Sequence, residues 1–125
     1  MEKVLDALEW CEGLIISPPV YYRNVMSLLG AMLERLYAKK DSNILRDKPG
    51  GSITVGRGSG GGQSIVLNIL YNWMRSSRMI CISGELNGVS AMADKPGDIL
   101  NDQRKLNQAE MLARNILDIY KKMNR

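Results

Sequence analysis

Apolar residues fall along this chain either at helical spacing or in short unbroken runs, and the two patterns alternate. Val4, Leu5, Leu8 and Trp10 predict a short amphipathic helix ending near Gly13, and Leu14 to Ile16 then form a continuous apolar strand. Val25, Leu28, Leu29, Met32, Leu33 and Leu36 recur at helical intervals. Asn24 is placed to cap that second helix, and Lys39 and Lys40 close it, where cations suit the negative end of the helix dipole. Lys48-Pro49-Gly50-Gly51 reads as punctuation before a second strand, Ser52 to Val55, which enters the glycine run Gly56-Arg57-Gly58-Ser59-Gly60-Gly61-Gly62. A third helix is expected from about Gln63 to Ser77, and a third strand from Met79 to Ile82. Ser83 to Asp98, rich in Gly, Asn, Asp and Pro, reads as one long loop. The last helix is expected from roughly Ile99 to Met123, with Leu106, Ala109, Leu112, Ile116, Ile119 and Tyr120 as its buried stripe.

The strands are apolar throughout and do not alternate, which is the pattern of a parallel sheet covered by helices on both faces. The expected architecture is therefore three-layer α/β with right-handed crossovers. Ligands of such sheets sit beyond the carboxyl ends of the strands. Two segments fall at that place: GLIISPPVYYRNV, where a strand runs through a Pro-Pro-Val-Tyr-Tyr loop into a helix, and the glycine run with the helix after it.

Composition limits what chemistry those loops can do. With 125 residues, 45% hydrophobic and 24% charged, the chain reads as one globular domain with a modest core. No apolar run reaches the roughly 20 residues that span a bilayer, and the start, MEKVLDALEW, is acidic, so a cytoplasmic protein without membrane contact is expected. Cys11 and Cys81 lie far apart with no metal-ligand spacing and are read as buried, reduced thiols, so no metal is expected. The net charge of +4 is spread over scattered positions such as Arg23, Arg75, Arg78, Lys121 and Lys122. No basic run is interleaved with aromatics, which argues against nucleic acid and leaves a small anionic cofactor compatible. The chain has no His, and no Ser or Cys has a recognisable base partner, which excludes hydrolytic triads and His-based acid-base chemistry.

In the first loop, Pro19, Val20, Tyr21, Asn24 and Val25 match the GSPVYFGNVS-like segment of a known family, while Pro18 stands where that family usually has Ser or Thr, and Arg23 where it has Gly. In the second, DKPGGSITVGRGSGGGQS is similar to its GKPGAAIVVGGGRGGGQE-type segment. The chain thus resembles the flavodoxin-like NADPH-dependent FMN reductase and iron-sulfur flavoprotein family. That resemblance implies a flavodoxin-like sheet whose three strands are adjacent in chain order. It also implies FMN as cofactor and NAD(P)H as a possible reductant. Pro18, Pro19, Val20, Tyr21, Tyr22 and Asn24 would wrap the ring edge, and Gly56, Arg57, Gly58, Ser59, Gly60 and Gly61 would cradle its polar side. Backbone N–H groups and the Arg57 cation would there stabilise negative charge on a reduced flavin. Family members are commonly dimeric, so a homo-dimer or a complementing subunit is expected. The family begins further upstream, with a first strand, a phosphate-holding loop, a helix and a second strand, and has its iron-sulfur cysteines upstream as well. The expectation is an N-terminally incomplete domain of about three strands, with weak or partner-dependent FMN binding and no cluster.

Several readings stay open on sequence alone. Gly56 to Gly61 satisfies G-x-G-x-x-G between strand and helix, with Glu85 past the next strand, so a dinucleotide-binding module is an alternative. A P-loop is excluded, because no Lys-Ser or Lys-Thr follows the glycines. The glycine run could equally be a ligand-free connection. Tyr21 and Tyr22 could stack on a flavin or cap the core at the sheet's edge, and Arg23 could meet a phosphate or sit solvated at a helix start. Trp73 and Met74 are assigned to core or subunit packing. At the level of function, a flavin-dependent oxidoreductase stands against a non-catalytic or half-site partner subunit that binds flavin weakly or not at all.

Overall fold

A computed structural model describes residues 1–39 and 42–125, so Lys40 of the expected helix end lies outside the described residues. The elements run α1 (Glu2–Trp10), β1 (Leu14–Ile16), β2 (Val20–Tyr21), β3 (Asn24–Val25), α2 (Ser27–Leu36), a 3-10 segment (Tyr37–Ser42), β4 (Pro49–Gly56), α3 (Gln63–Ser76), β5 (Ile80–Cys81), β6 (Val89–Met92), a second 3-10 segment (Asp98–Asn101) and α4 (Gln103–Met123). β4 is the central strand, with β1 on one side and β5 and β6 in succession on the other, all parallel. The three expected strands are adjacent in chain order, as in a flavodoxin-like sheet.

The sheet divides two cores. On one face Leu8 of α1, Leu33 and Leu36 of α2, and Val66, Leu67, Leu70, Tyr71 and Met74 of α3 pack with Ile16. On the other, Leu112 and Ile116 of α4 cover Ile82 and Val89. Burial on both sides explains why the strands read as unbroken apolar runs.

Four segments depart from the sequence reading. Pro49-Gly50-Gly51 is not punctuation but the first part of the eight-residue β4. Pro49 opens the strand, where a missing N–H is tolerated. A Cβ at Gly50 would stand 2.5 Å from Met79 Cε, and one at Gly51 would stand 2.8 Å from Leu112 Cδ1. The two glycines therefore let core side chains from both faces close onto the strand.

The long loop expected from Ser83 to Asp98 contains β6. Ile53 to Gly56 pair with Val89 to Met92, whereas Pro49 and Gly50 pair with Ile80 and Cys81, so the edge strand leaves the ladder and returns. Gly88, at φ +77°, makes the return, and a Cβ there would stand 2.7 Å from Ser52 O. The last helix begins at Gln103 and not at Ile99, because Asp102 accepts from Lys105 N–H at 3.1 Å and so sets the cap.

Asn24 does not cap α2. It belongs to β3, which pairs with β2 as a tight antiparallel ribbon, and its Oδ1 accepts from Val25 N–H at 2.8 Å. The two turn residues, Tyr22 and Arg23, have φ of +50° and +59°. That is the geometry of a two-residue hairpin turn whose twist matches its strands, and it is uncommon without Gly or Asn. Arg23 is therefore a hairpin-tip residue and not a helix start.

Candidate functional site

Because β1, β4 and β6 are parallel, their carboxyl ends lie on one rim, and the segments that leave them converge there. The first loop stays against the sheet: Pro19 bridges to Val55 of β4 in parallel fashion. Ser52 Oγ, opposite the last residue of β1, donates to Ile16 O at 2.8 Å and fixes where the chain departs. The hairpin then reaches the glycine loop, since a Cβ on Gly62 would stand 2.7 Å from Arg23 Cα. The two segments singled out in the sequence are thus neighbours in space.

Within the first loop Pro18 is buried and Val20 half-buried, while Pro19 and Asn24 are exposed. Tyr21 is 59% exposed and Tyr22 is at full exposure, so neither ring caps the core. Both are left at the rim.

The glycines of the second loop fall into two kinds. Gly56, Gly61 and Gly62 are required by the fold: a Cβ at Gly56 would stand 2.8 Å from Gln63 Nε2, one at Gly61 would stand 2.9 Å from Gly58 O, and Gly62 has φ +92° as the N-cap of α3. Gly58 and Gly60 are different, since a Cβ at either would meet nothing within 4 Å. No packing contact demands glycine there. Among the described residues the loop closes by Gly61 N–H to Gly58 O at 3.2 Å, and no acceptor is recorded for the N–H groups of Gly58, Ser59 or Gly60. This open stretch leaves backbone donors that an acceptor group could approach closely.

Arg57 is also exposed, and its guanidinium Nε is bonded to Asp94 Oδ1 in the segment after β6. That segment was not marked by the sequence as part of the site. It is held by Asp98, whose Oδ2 accepts from the N–H groups of Asp94 at 3.0 Å and Lys95 at 2.8 Å, and by Ala93 N–H to Gly56 O at 3.1 Å. The Asp-x-x-x-Asp spacing in a Pro-Gly turn was the signal available.

Glu85, the acid of the dinucleotide alternative, lies in the excursion between β5 and β6. Its carboxylate accepts from Arg104 at 3.2 Å and Gln108 at 2.9 Å of α4, and these hydrogen bonds hold its pKa below the ordinary carboxylate value. The acid is thereby engaged on the α4 side of the sheet.

A cavity of about 890 Å³ lies elsewhere. Leu33, Leu36, Tyr37, Leu45, Trp73 and Arg78 line it, at the C-terminal ends of α2 and α3. Met74 is fully buried, as expected of a core residue, and Trp73 is half-buried at this cavity. Cys11 and Cys81 are free and half-buried, less enclosed than expected. No described helix is long and apolar enough to cross a membrane.

Comparison with known proteins agrees with this fold. An iron-sulfur flavoprotein of Methanocaldococcus jannaschii is 36% identical over 86 residues, covering 67% of this chain and 43% of that protein. A second iron-sulfur flavoprotein of that organism is 26% identical over 125 residues, covering 97% of this chain and 65% of that protein. This chain therefore spans from under half to about two thirds of the length of these relatives. Among solved structures, the flavodoxin-type WrbA-like protein of Agrobacterium tumefaciens superposes with a TM-score of 0.75 at 17% identity, covering 92% of this chain and 73% of that one. Residues 1–93 match the family model described as NADPH-dependent FMN reductase, and the chain belongs to that family.

Proposed function

We propose that the chain binds FMN at the rim formed by the SPPVYY hairpin and the glycine loop and serves as a flavin-dependent oxidoreductase of the NAD(P)H:FMN reductase type. The observation that carries this reading is the pair Gly58 and Gly60, where an added Cβ would meet nothing within 4 Å, flanking amides with no acceptor among the described residues. Family membership supports the same cofactor. Bound FMN would supply the chemistry, accepting hydride from a nicotinamide and passing electrons to a second acceptor.

The chain's own residues orient and tune. The N–H groups of Gly58, Ser59 and Gly60 would donate to acceptor atoms of the flavin, and such donors would favour negative charge there. Pro19, Tyr21 and Tyr22 would offer exposed apolar surface to the ring, with Pro18, Val20 and Asn24 supporting the hairpin. Arg57 adds a cation whose orientation Asp94 controls. The two free thiols accord with a reducing compartment such as the cytoplasm.

A second reading has its own support: a half-site or partner subunit that binds flavin only when another polypeptide extends the sheet. Among the described residues β1 pairs only with β4, leaving its other edge open, and Ile15 on it is 39% exposed. A visible spectrum of the purified protein before and after FMN addition tests both. A bound-flavin band that bleaches with NADH or NADPH supports the oxidoreductase, whereas an unperturbed FMN spectrum removes it in favour of the half-site subunit.

A further inference from the structure

Gln63 is the first residue of α3, yet its side chain is 3% exposed. Its amide nitrogen donates to Gly58 O at 2.8 Å and to Ala91 O at 3.2 Å, one carbonyl in the glycine loop and one in β6. The backbone carbonyl of Gln63 accepts from Thr54 Oγ1 of β4 at 3.4 Å, which fixes the start of α3 on that strand. Room for the amide exists because Gly56 has no side chain, a Cβ there standing 2.8 Å from Nε2 and 2.9 Å from Cδ. One carboxamide thus joins the end of β6 to the glycine loop, while the backbone of the same residue is tied to β4. Displacing the carboxamide would leave Gly58 O with the Gly61 N–H alone and take a donor from the buried Ala91 O, a cost above that of an exposed hydrogen bond.

The consequence lies in the planarity of the peptide unit. In a trans peptide the C=O and the following N–H point in opposite directions. Turning Gly58 C=O inward, to Gln63 and to Gly61 N–H, therefore turns Ser59 N–H outward to the rim. We propose that Gln63 is a positioning residue of the site, holding the glycine loop against β6 so that its free amides face a ligand in a preset orientation. The identity of the ligand, FMN, rests on the function proposed above; the orientation of the loop does not. Donors ordered before binding raise affinity, since the loop loses little further freedom when the ligand arrives.

The test uses the full chain in three variants. Gln63→Met keeps the length of the side chain and removes its donor. Gly56→Ala crowds the amide from the other side. Leu70→Val, in the buried core under α3, lowers stability away from the rim. Amide 15N relaxation of Gly58, Ser59 and Gly60 is recorded without ligand, and FMN is then titrated by fluorescence quenching. The expected result is lower order at these amides in Gln63→Met and Gly56→Ala, with the FMN Kd raised roughly tenfold, while Leu70→Val changes only the urea midpoint. Unchanged order at the three amides in both rim variants overturns the positioning role, even where the wild-type chain binds FMN. Loosened amides in a chain whose wild type ignores FMN uphold the role and sink the flavin reading alone.

Discussion

The hydroxyl of Tyr71 accepts a hydrogen bond from the backbone N–H of Ser52 at 3.2 Å, in the middle of the central strand. It also donates to Ile82 O at 2.8 Å. Both partners are main-chain groups at the point where the edge strand leaves β4 between Cys81 and Val89, so a side chain from α3 repairs the missing rung. Gly51 and Gly88 make room, since a Cβ at Gly51 would stand 3.2 Å from Tyr71 Oη and one at Gly88 would stand 2.9 Å from Tyr71 Cε2. Tyr71→Phe would leave both groups buried without their partner. We expect a loss of about 1–3 kcal/mol in urea unfolding, larger than for an exposed tyrosine. A loss within error would mean that water replaces the hydroxyl.

The same burial makes the fold sensitive to alkali. Desolvation pushes the Tyr71 phenol above its ordinary value, with the Ser52 hydrogen bond acting in the opposite direction, and desolvation likewise raises the Cys81 thiol against the pull of Arg75. The unfolded chain then releases these protons at lower pH than the folded one, so their contribution is fully present below the unfolded values and is lost as pH rises through the folded ones. The urea midpoint should fall above about pH 9 to 10. Tyr120, whose phenol is raised by its hydrogen bond to Glu12, shifts in the same direction. The discriminating comparison is therefore Tyr71→Phe against Tyr120→Phe. An alkaline slope that Tyr71→Phe does not flatten would assign the effect to other groups.

The two kinds of glycine separate stability from binding. Gly62→Ala puts a side chain at φ +92° and against the Arg23 backbone, and it should cost more than about 1 kcal/mol. Gly58→Ala and Gly60→Ala meet no protein atom and should stay within about 0.5 kcal/mol of wild type. Their effect should be on FMN titrations, where the added methyl holds the ligand off the backbone. Unchanged FMN affinity in both would remove the ligand explanation for these residues.

Arg57 and Asp94 form an exposed pair, which contributes little to folding. Its value for the site is in aiming the guanidinium. Arg57→Ala should raise the FMN Kd with a stability change under about 1 kcal/mol. Asp94→Asn, which releases the cation, should change affinity in the opposite direction, because less opposing charge remains when an anionic ligand approaches. Identical Kd values across wild type and the two variants would place Arg57 outside the site.

Much of this was legible in the chain. The runs at Leu14 to Ile16 and Met79 to Ile82 announced parallel strands because burial on both faces leaves no polar alternation to confuse. Pro49 to Gly51 misled because Pro and Gly usually break structure, and only the approach of Met79 and Leu112 shows why β4 needs them. β6 was hidden because Val-Ser-Ala-Met is short and mixed, and its pairing with Ile53 to Gly56 is long-range information. The role of Asn24 was misassigned because nothing local marks Tyr22 and Arg23 for left-handed backbone. Gln63 stands opposite the Gln of the family's glycine segment, but nothing local showed that its side chain turns inward, since a polar residue at a helix start is ordinarily solvated. The site's two loops were found by motif; the parts that hold them were found only in three dimensions.

Association is the remaining expectation. Among the described residues the free edge of β1 is a row of backbone groups available for pairing, and it carries Ile15 at 39% exposure. Trp10, Leu28 and Tyr37 add exposed apolar surface on the helical layers. Such an edge is stable in water only if charged, twisted away or covered, and Leu14 to Ile16 contain no charge or proline to blunt it. We therefore expect a dimer, or a complex with a polypeptide that pairs with β1, and light scattering at low micromolar concentration to report twice the 14.0 kDa chain mass in the first case. Ile15→Lys puts a charge on the edge at a half-exposed position, so it should shift the population toward monomer while leaving the urea midpoint close to wild type. A clean 14.0 kDa species for the wild-type chain, unaltered by Ile15→Lys, would show that the edge is tolerated in solution and would sink the association claim.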